Sequence, residues 1–189
     1  RLQGNWKRYA DVDGDGIGYR TLPGTSHPAA AYFTRGTGHN QAAGYSERPE
    51  DWQPNLERLF KKHDHARTLV PAPVIEEVSG ATVGIISFGT NHLAVQEARL
   101  LLQDAGIASS YLRLRALPLE EQLTGFINRH GRLYVVENNL DGQMHALIRL
   151  HAPGEATRLI SVAQCDGLPL TASWISQTIA QCEAKEVQP

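Results

Sequence analysis

The sequence predicts an α/β fold of three layers, a mostly parallel sheet of four to five strands between two layers of helices, preceded by an irregular N-terminal extension with one helix. From Thr82 onward, short apolar runs alternate with helical periodicities. Parallel neighbours need long crossovers, and helices supply them. Up to about Ala66 the chain is instead rich in Gly, Asp and His, and a stretch with two prolines, Leu69 to Val74, stands between the two patterns.

In the extension, Leu56, Leu59, Phe60 and His63 recur at helical spacing, with Arg58, Lys61 and Lys62 expected on the wet side. The prolines mark a linker. The expected organisation is residues 1–68 as the tail of a preceding domain, 69–79 as linker and 80–189 as an α/β domain, with Val74–Val78 available as an edge strand. Thr82–Phe88 reads as the first central strand, and a helix on Val95, Ala98, Leu102 and Ala105 follows, stopped by Gly106. Ser110–Leu114 is the next strand. Pro118 is expected in the first turn of a helix striped by Leu119, Leu123, Phe126 and Ile127 and closed by Gly131. Leu133–Val136, a helix over Gly142–His151, a strand over Arg158–Ala163 and a last helix capped by Thr171, with Ile175, Ile179 and Cys182 inward, complete the series.

With 41% apolar residues in 189, the chain is expected to pack rather than stay disordered. Its 18 Lys and Arg against 20 Asp and Glu leave a net charge of −2, too weak a field to recruit nucleic acid. No apolar run approaches the ~20 residues of a membrane span, so the expectation is a soluble, cytoplasmic protein. Cys165 and Cys182 form no CxxC and cannot build a cluster or zinc ligand set. The chain opens on Arg1 rather than Met, and Leu2–Tyr9 reads as the interior of something longer, which predicts a piece of a larger protein.

Several motifs invite chemistry. Asp11-Val-Asp13-Gly-Asp15-Gly16 opens like a calcium loop, but Leu22 stands where the bidentate Glu belongs. Gly14-Asp15-Gly16 with Asn40 downstream imitates a magnesium-diphosphate signature, yet no apolar strand delivers it. His63 and His65, two apart on a helix, diverge. GxSxG, GxGxxG and the P-loop are absent. The remaining candidates lie at the carboxyl ends of the parallel strands, where open α/β sheets place ligands. They are Gly89, Thr90 and Asn91 after Ser87, then Glu137, Asn139, Gly142 and Gln143, then Asp166. No catalytic or metal-binding residue is assigned to the segment.

Val135-Val-Glu137-Asn-Asn139-Leu-Asp-Gly142-Gln143 resembles the VxExNxxGQ stretch in the C-terminal domain of the α subunit of 2-oxoacid:ferredoxin oxidoreductases. Arg35-Gly-Thr-Gly-His39-Asn40 with Gly44-Tyr45 and Glu47 looks like the TGxxHNExGxxSE segment of that family. Leu56–Lys62 is similar to the basic helix after it, and Cys165–Pro169 to its terminal YDGRPF. The resemblance spans about Ala31 to Trp174 and best suits the 2-oxoglutarate branch. Gln41, Ala116-Leu117-Pro118, Leu168 and Leu170 depart from it, and His39 and Asn40 become candidates in the extension.

The resemblance implies that residues up to about Ala66 end a thiamine-pyrimidine domain and that Gly80 onward is a transketolase C-terminal-like domain. It further implies a multi-subunit enzyme that converts a 2-oxoacid and CoA to acyl-CoA and CO2 with electrons passed to ferredoxin. In that family thiamine diphosphate, magnesium and an iron–sulfur cluster sit with a β subunit. The expected partners are that β subunit, ferredoxin through the complex, and a second copy of the chain; no cofactor is expected on this segment alone, and no nucleic acid or membrane. Its own role would be assembly and bracing of the active site. A stand-alone α/β module for a small ligand or nucleotide is the alternative, and a calcium-regulated interaction domain a third.

Overall fold

The computed structural model describes residues 6–32 and 36–186; Leu2–Asn5 and Arg35 of the stretches named above lie outside them. The chain forms two compact units, Arg1–Val70 and Pro71–Pro189.

In the first unit the regular elements are a short 3-10 turn, Pro28–Ala30, and helix α1, Pro49–Ala66, the rest being turns and a single bridge between His39 and Tyr45. Pro49 starts α1 with Glu50 and Asp51 in its first turn, the charges its positive end favours. The amphipathic expectation is reversed here. Leu56, Leu59 and Phe60 face outward, Phe60 being 78% exposed, while the basic side grips the acidic turn. Arg58 Nη1 donates to the Gly16 carbonyl at 2.9 Å, and Lys61 Nζ pairs with Asp11 Oδ2 at 3.1 Å. Gly16, at φ +78°, lies so close to the backbone of Arg58 and Lys62 that a Cβ would meet Lys62 N at 2.4 Å. Charge and backbone hydrogen bonds, which periodicity does not register, choose the packed face.

The second unit is the predicted sheet. Its strands are β1 (Val74–Glu76), β2 (Val83–Phe88), β3 (Ser109–Leu114), β4 (Arg132–Glu137) and β5 (Leu159–Ala163), in the order β1-β3-β2-β4-β5. β3, β2, β4 and β5 are parallel; β1, from the expected linker, adds antiparallel to β3 at the edge. β2 is buried from Val83 to Ser87, as a strand covered on both faces must be. Alternation along the strands separates two cores. Ile85, Tyr134 and Val136 pack with helices α2 (His92–Asp104) and α5 (Ala172–Glu186); Ile86, Leu133 and Val135 pack with α3 (Glu121–Arg129) and α4 (Gln143–His151). The face changes when the chain, having run from β2 outward to β3, returns to β4 on the other side of β2, as right-handed crossovers require.

Three helix ends differ from expectation. Pro118 lies ahead of α3, after a cis Leu117–Pro118 peptide, and Leu119 enters the core as a lead-in. Gly131 does not close α3. The buried His130 does, its Nδ1 donating to the Phe126 carbonyl at 2.8 Å while Gly131 N–H already pairs with Thr82 at the start of the sheet. Gly142 caps α4 rather than opening it. Thr171 caps α5 as expected, accepting the Trp174 N–H. Among the described residues no helix is long and apolar enough to cross a membrane.

The C-terminal helix is tied to the sheet by charge. Glu183, 9% exposed, accepts from the Tyr134 hydroxyl at 2.5 Å and from two nitrogens of the Arg132 guanidinium. Burial works against the carboxylate, but the Arg132 and Tyr134 hydrogen bonds win and hold it below the usual glutamate range. Glu183→Ala leaves both partners short of an acceptor and should cost about 3 kcal/mol in urea unfolding at pH 7. Because the folded carboxylate is the stronger acid, its contribution is complete above the ordinary glutamate pKa and lost as pH falls through the lower folded value. The gap between wild type and Glu183→Ala should therefore close in acid, and persistence of the gap there would show that it comes from packing.

Candidate functional site

β4 ends on Glu137, an ionisable side chain that is fully buried at the carboxyl end of the strand. Its carboxylate accepts the Met144 N–H at 2.9 Å, the His145 N–H at 3.0 Å and the Asn139 side-chain N–H at 2.9 Å. The two backbone amides belong to the first turn of α4, whose donors have no partner inside the helix. Glu137 thus caps α4 from the preceding strand, and the positive helix end offsets its charge. Gly142 makes the approach possible. It sits at φ +62°, and a Cβ there would lie 2.9 Å from Ser161 Oγ and 3.7 Å from Glu137 Oε1.

Glu137 and Asn139 are therefore hydrogen-bonded to each other, and Gly142 lies against Glu137 at the start of α4. The other rim candidates do not join them through any hydrogen bond. Gly89 and Thr90 form an exposed 3-10 turn between β2 and α2, and Gln143 is exposed at the start of α4. Asn91 is buried at 6% exposure and stands at the N-cap of α2 without a side-chain capping hydrogen bond. Asp166 is exposed and closes its own turn, accepting the Leu168 N–H at 2.9 Å and the Gln164 amide at 2.7 Å; the backbone bond to Leu168 holds its carboxyl below the usual range. Asn138 reaches the Leu168 carbonyl at 3.1 Å and links the loops after β4 and β5.

One group at this edge was missed in the sequence. The Tyr111 hydroxyl of β3 lies 2.9 Å from Ser87 Oγ of β2 and 3.3 Å from His92 Nδ1 at the start of α2, with the Arg99 guanidinium over its ring at 5.6 Å. Burial pushes the phenol up, so it stays neutral. Tyr111 had only a hydrophobic signal, a place in an apolar strand.

The two extension candidates lie in the first unit. Asn40 builds a turn, its Oδ1 accepting the Ala42 and Gly44 N–H groups at 3.0 Å each. His39 stacks on Tyr9, ring centroids 4.0 Å apart.

The donor sets for a diphosphate-bound metal or an iron–sulfur cluster do not fit this chain. Asp11 and Asp15 carboxylates accept the Gly16 and Ile17 N–H groups, Asp13 holds the Tyr19 hydroxyl, and the Gly16 carbonyl is taken by Arg58. The acids of the Gly14-Asp15-Gly16 turn are thus spent on the turn itself. Only Cys165 and Cys182 could offer thiolates, and among the described residues no three His, Cys, Asp or Glu side chains are grouped to hold a metal.

No protein-family model matches the chain. It is 28% identical over 175 residues to the alpha subunit of 2-oxoacid:ferredoxin oxidoreductase 2 of Aeropyrum pernix, a match over 88% of this chain and 26% of that protein. The solved 2-oxoglutarate:ferredoxin oxidoreductase of Magnetococcus marinus, determined with 2-oxoglutarate, coenzyme A and succinyl-CoA bound, superposes with a TM-score of 0.77 at 26% identity, over 95% of this chain and 31% of that one. A split-gene transketolase, crystallised as an inactive beta4 tetramer, shares the fold over 58% of this chain and 40% of its own, at 20% identity and a TM-score of 0.50. The relatives that cover most of the chain are thus 2-oxoacid:ferredoxin oxidoreductase subunits, and the chain spans about a quarter to a third of their length.

Replacing Glu137 by Ala strands buried N–H donors and should lower unfolding stability by about 1–3 kcal/mol. Glu137→Gln, which keeps one acceptor oxygen, should lose less. Equal stability of all three proteins in denaturant melts would show that the carboxylate is not the cap of α4.

Proposed function

We propose that the chain is the C-terminal portion of the α subunit of a thiamine-diphosphate-dependent 2-oxoacid:ferredoxin oxidoreductase, in a cytoplasmic complex. The reaction breaks the bond between the 2-oxo carbon and the carboxylate of the 2-oxoacid, which leaves as CO2, and joins the remaining acyl carbon to the CoA sulfur as a thioester, releasing the thiol proton and two electrons that pass to ferredoxin. Thiamine diphosphate, magnesium and the iron–sulfur cluster that such chemistry requires are assigned to other parts of the complex; among the described residues the acids of the Gly14-Asp15-Gly16 turn are engaged in the turn itself. The cofactor, when bound there, supplies the carbanion.

The observation that carries the reading is the collinear likeness to oxidoreductase α subunits through both units, extension and sheet alike. The role assigned to these residues is assembly and bracing of the active site. Glu137, capping α4, fixes the loop from Asn138 to Gly142 at the rim. Leu93, Leu140 and Leu168, all more than half exposed at the strand-end edge, offer apolar contacts to a neighbouring subunit or a second copy of the chain.

Affinity purification of the native protein should bring down a separate β subunit containing thiamine diphosphate and an iron–sulfur cluster, identified by mass spectrometry and by the visible absorption of the cluster. Recovery of the native protein alone would contradict the subunit reading.

A further inference from the structure

The first unit contains a cleft of about 620 Å³ whose wall carries Arg8, Arg20, Arg58 and Lys62, with His39 and Tyr9 beside them and no Asp or Glu among the lining residues. That size is within the range of small-molecule sites. Two guanidiniums converge on one ring: Arg8 lies over Tyr9 at 4.8 Å and Arg58 over it at 5.5 Å, while His39 stacks on the same ring. We propose that this cleft is a binding site for a phosphate dianion, free or esterified to a small molecule.

The charge balance is the first argument. The nearby acids are already committed: Asp11 to Lys61 and the Gly16 N–H, Asp13 to Tyr19. The exposed side chains of Arg20 and Lys62 have no ion-pair or hydrogen-bond partner among the described residues. Gathering like charges without a counter-charge is unfavourable, and an anion in the cleft removes that cost.

The second argument is the unfilled hydrogen bonding of Arg8. Its Nη1 reaches only the Gly18 carbonyl, at 3.5 Å, and its buried Nε–H has no acceptor. Leaving a buried donor unmade is costly. Arg58 spends Nη1 on Gly16 and its Nε and Nη2 on Asn55, so it is rigidly placed at the cleft. Burial, and after it the charge of Arg8, holds the Arg58 guanidinium below its ordinary pKa, as expected where cations crowd together. Oxygens of a tetrahedral dianion match several convergent guanidinium donors better than one carboxylate does. Tyr9, Leu22 and Leu59 line the same cleft and can meet the organic part of an ester.

The test is calorimetry of the intact protein with inorganic phosphate and, separately, with ADP. Arg20→Gln/Lys62→Gln is the variant, because neither side chain holds the fold. Saturable binding of either ligand that weakens at least tenfold in the double variant is the expected result. Tighter phosphate than ADP assigns the site to the free ion, and the reverse order to an ester. No saturable binding of either, or binding unchanged in the variant, overturns the proposal. No turnover is measured, so the outcome is independent of the subunit reading.

Discussion

β2 has water on neither side. Every residue from Val83 to Ser87 is buried, so both faces of the sheet must be roofed, and the chain achieves this by sending α2 and α5 over one face and α3 and α4 over the other. The alternation of side chains along β2 and β4 then fixes which residue serves which core. Ile85 cannot exchange with Ile86 without a slip that would turn the whole strand over. Ties at other points rest on this frame. Arg99 of α2 reaches Glu76 on the edge strand, and Glu183 of α5 reaches Arg132 and Tyr134 on β4.

The same frame decides what the strand-end rim can do. A buried carboxylate such as Glu137 suggests a general base when read in isolation. Its oxygens are occupied by amide donors at the start of α4, so the side chain serves as a helix cap rather than as an open acceptor at the rim. The rim is therefore shaped and held, with Thr90 and Gln143 on its exposed side, and it presents apolar residues outward.

The architecture of the second unit was legible because its determinants are local. Each strand is a short apolar run and each helix an apolar stripe, and the parallel order follows from the crossovers that join them. Helix ends were less legible where tertiary contacts replaced local signals. His130 closes α3 through a side-chain bond to Phe126, and no periodicity marks that. In the first unit the local signal pointed the wrong way, since α1 turns its basic side to the Asp11–Gly16 turn and leaves Phe60 outside. Glu137, Asn139 and Gly142 could be named from the sequence as rim groups holding ligand or backbone, but the amides that Glu137 accepts could not, because a strand-to-helix cap depends on where β4 delivers the carboxylate. The Arg8–Tyr9–Arg58 cleft was invisible for a similar reason: its cations are about fifty residues apart, and only the fold brings them to one ring.

The most direct test of the account is CoA- and 2-oxoacid-dependent reduction of a viologen dye, measured with this chain alone, with a purified thiamine-binding partner alone, and with the reconstituted complex. The account predicts turnover in the complex and none with this chain alone. Turnover by this chain in the absence of any partner would contradict it.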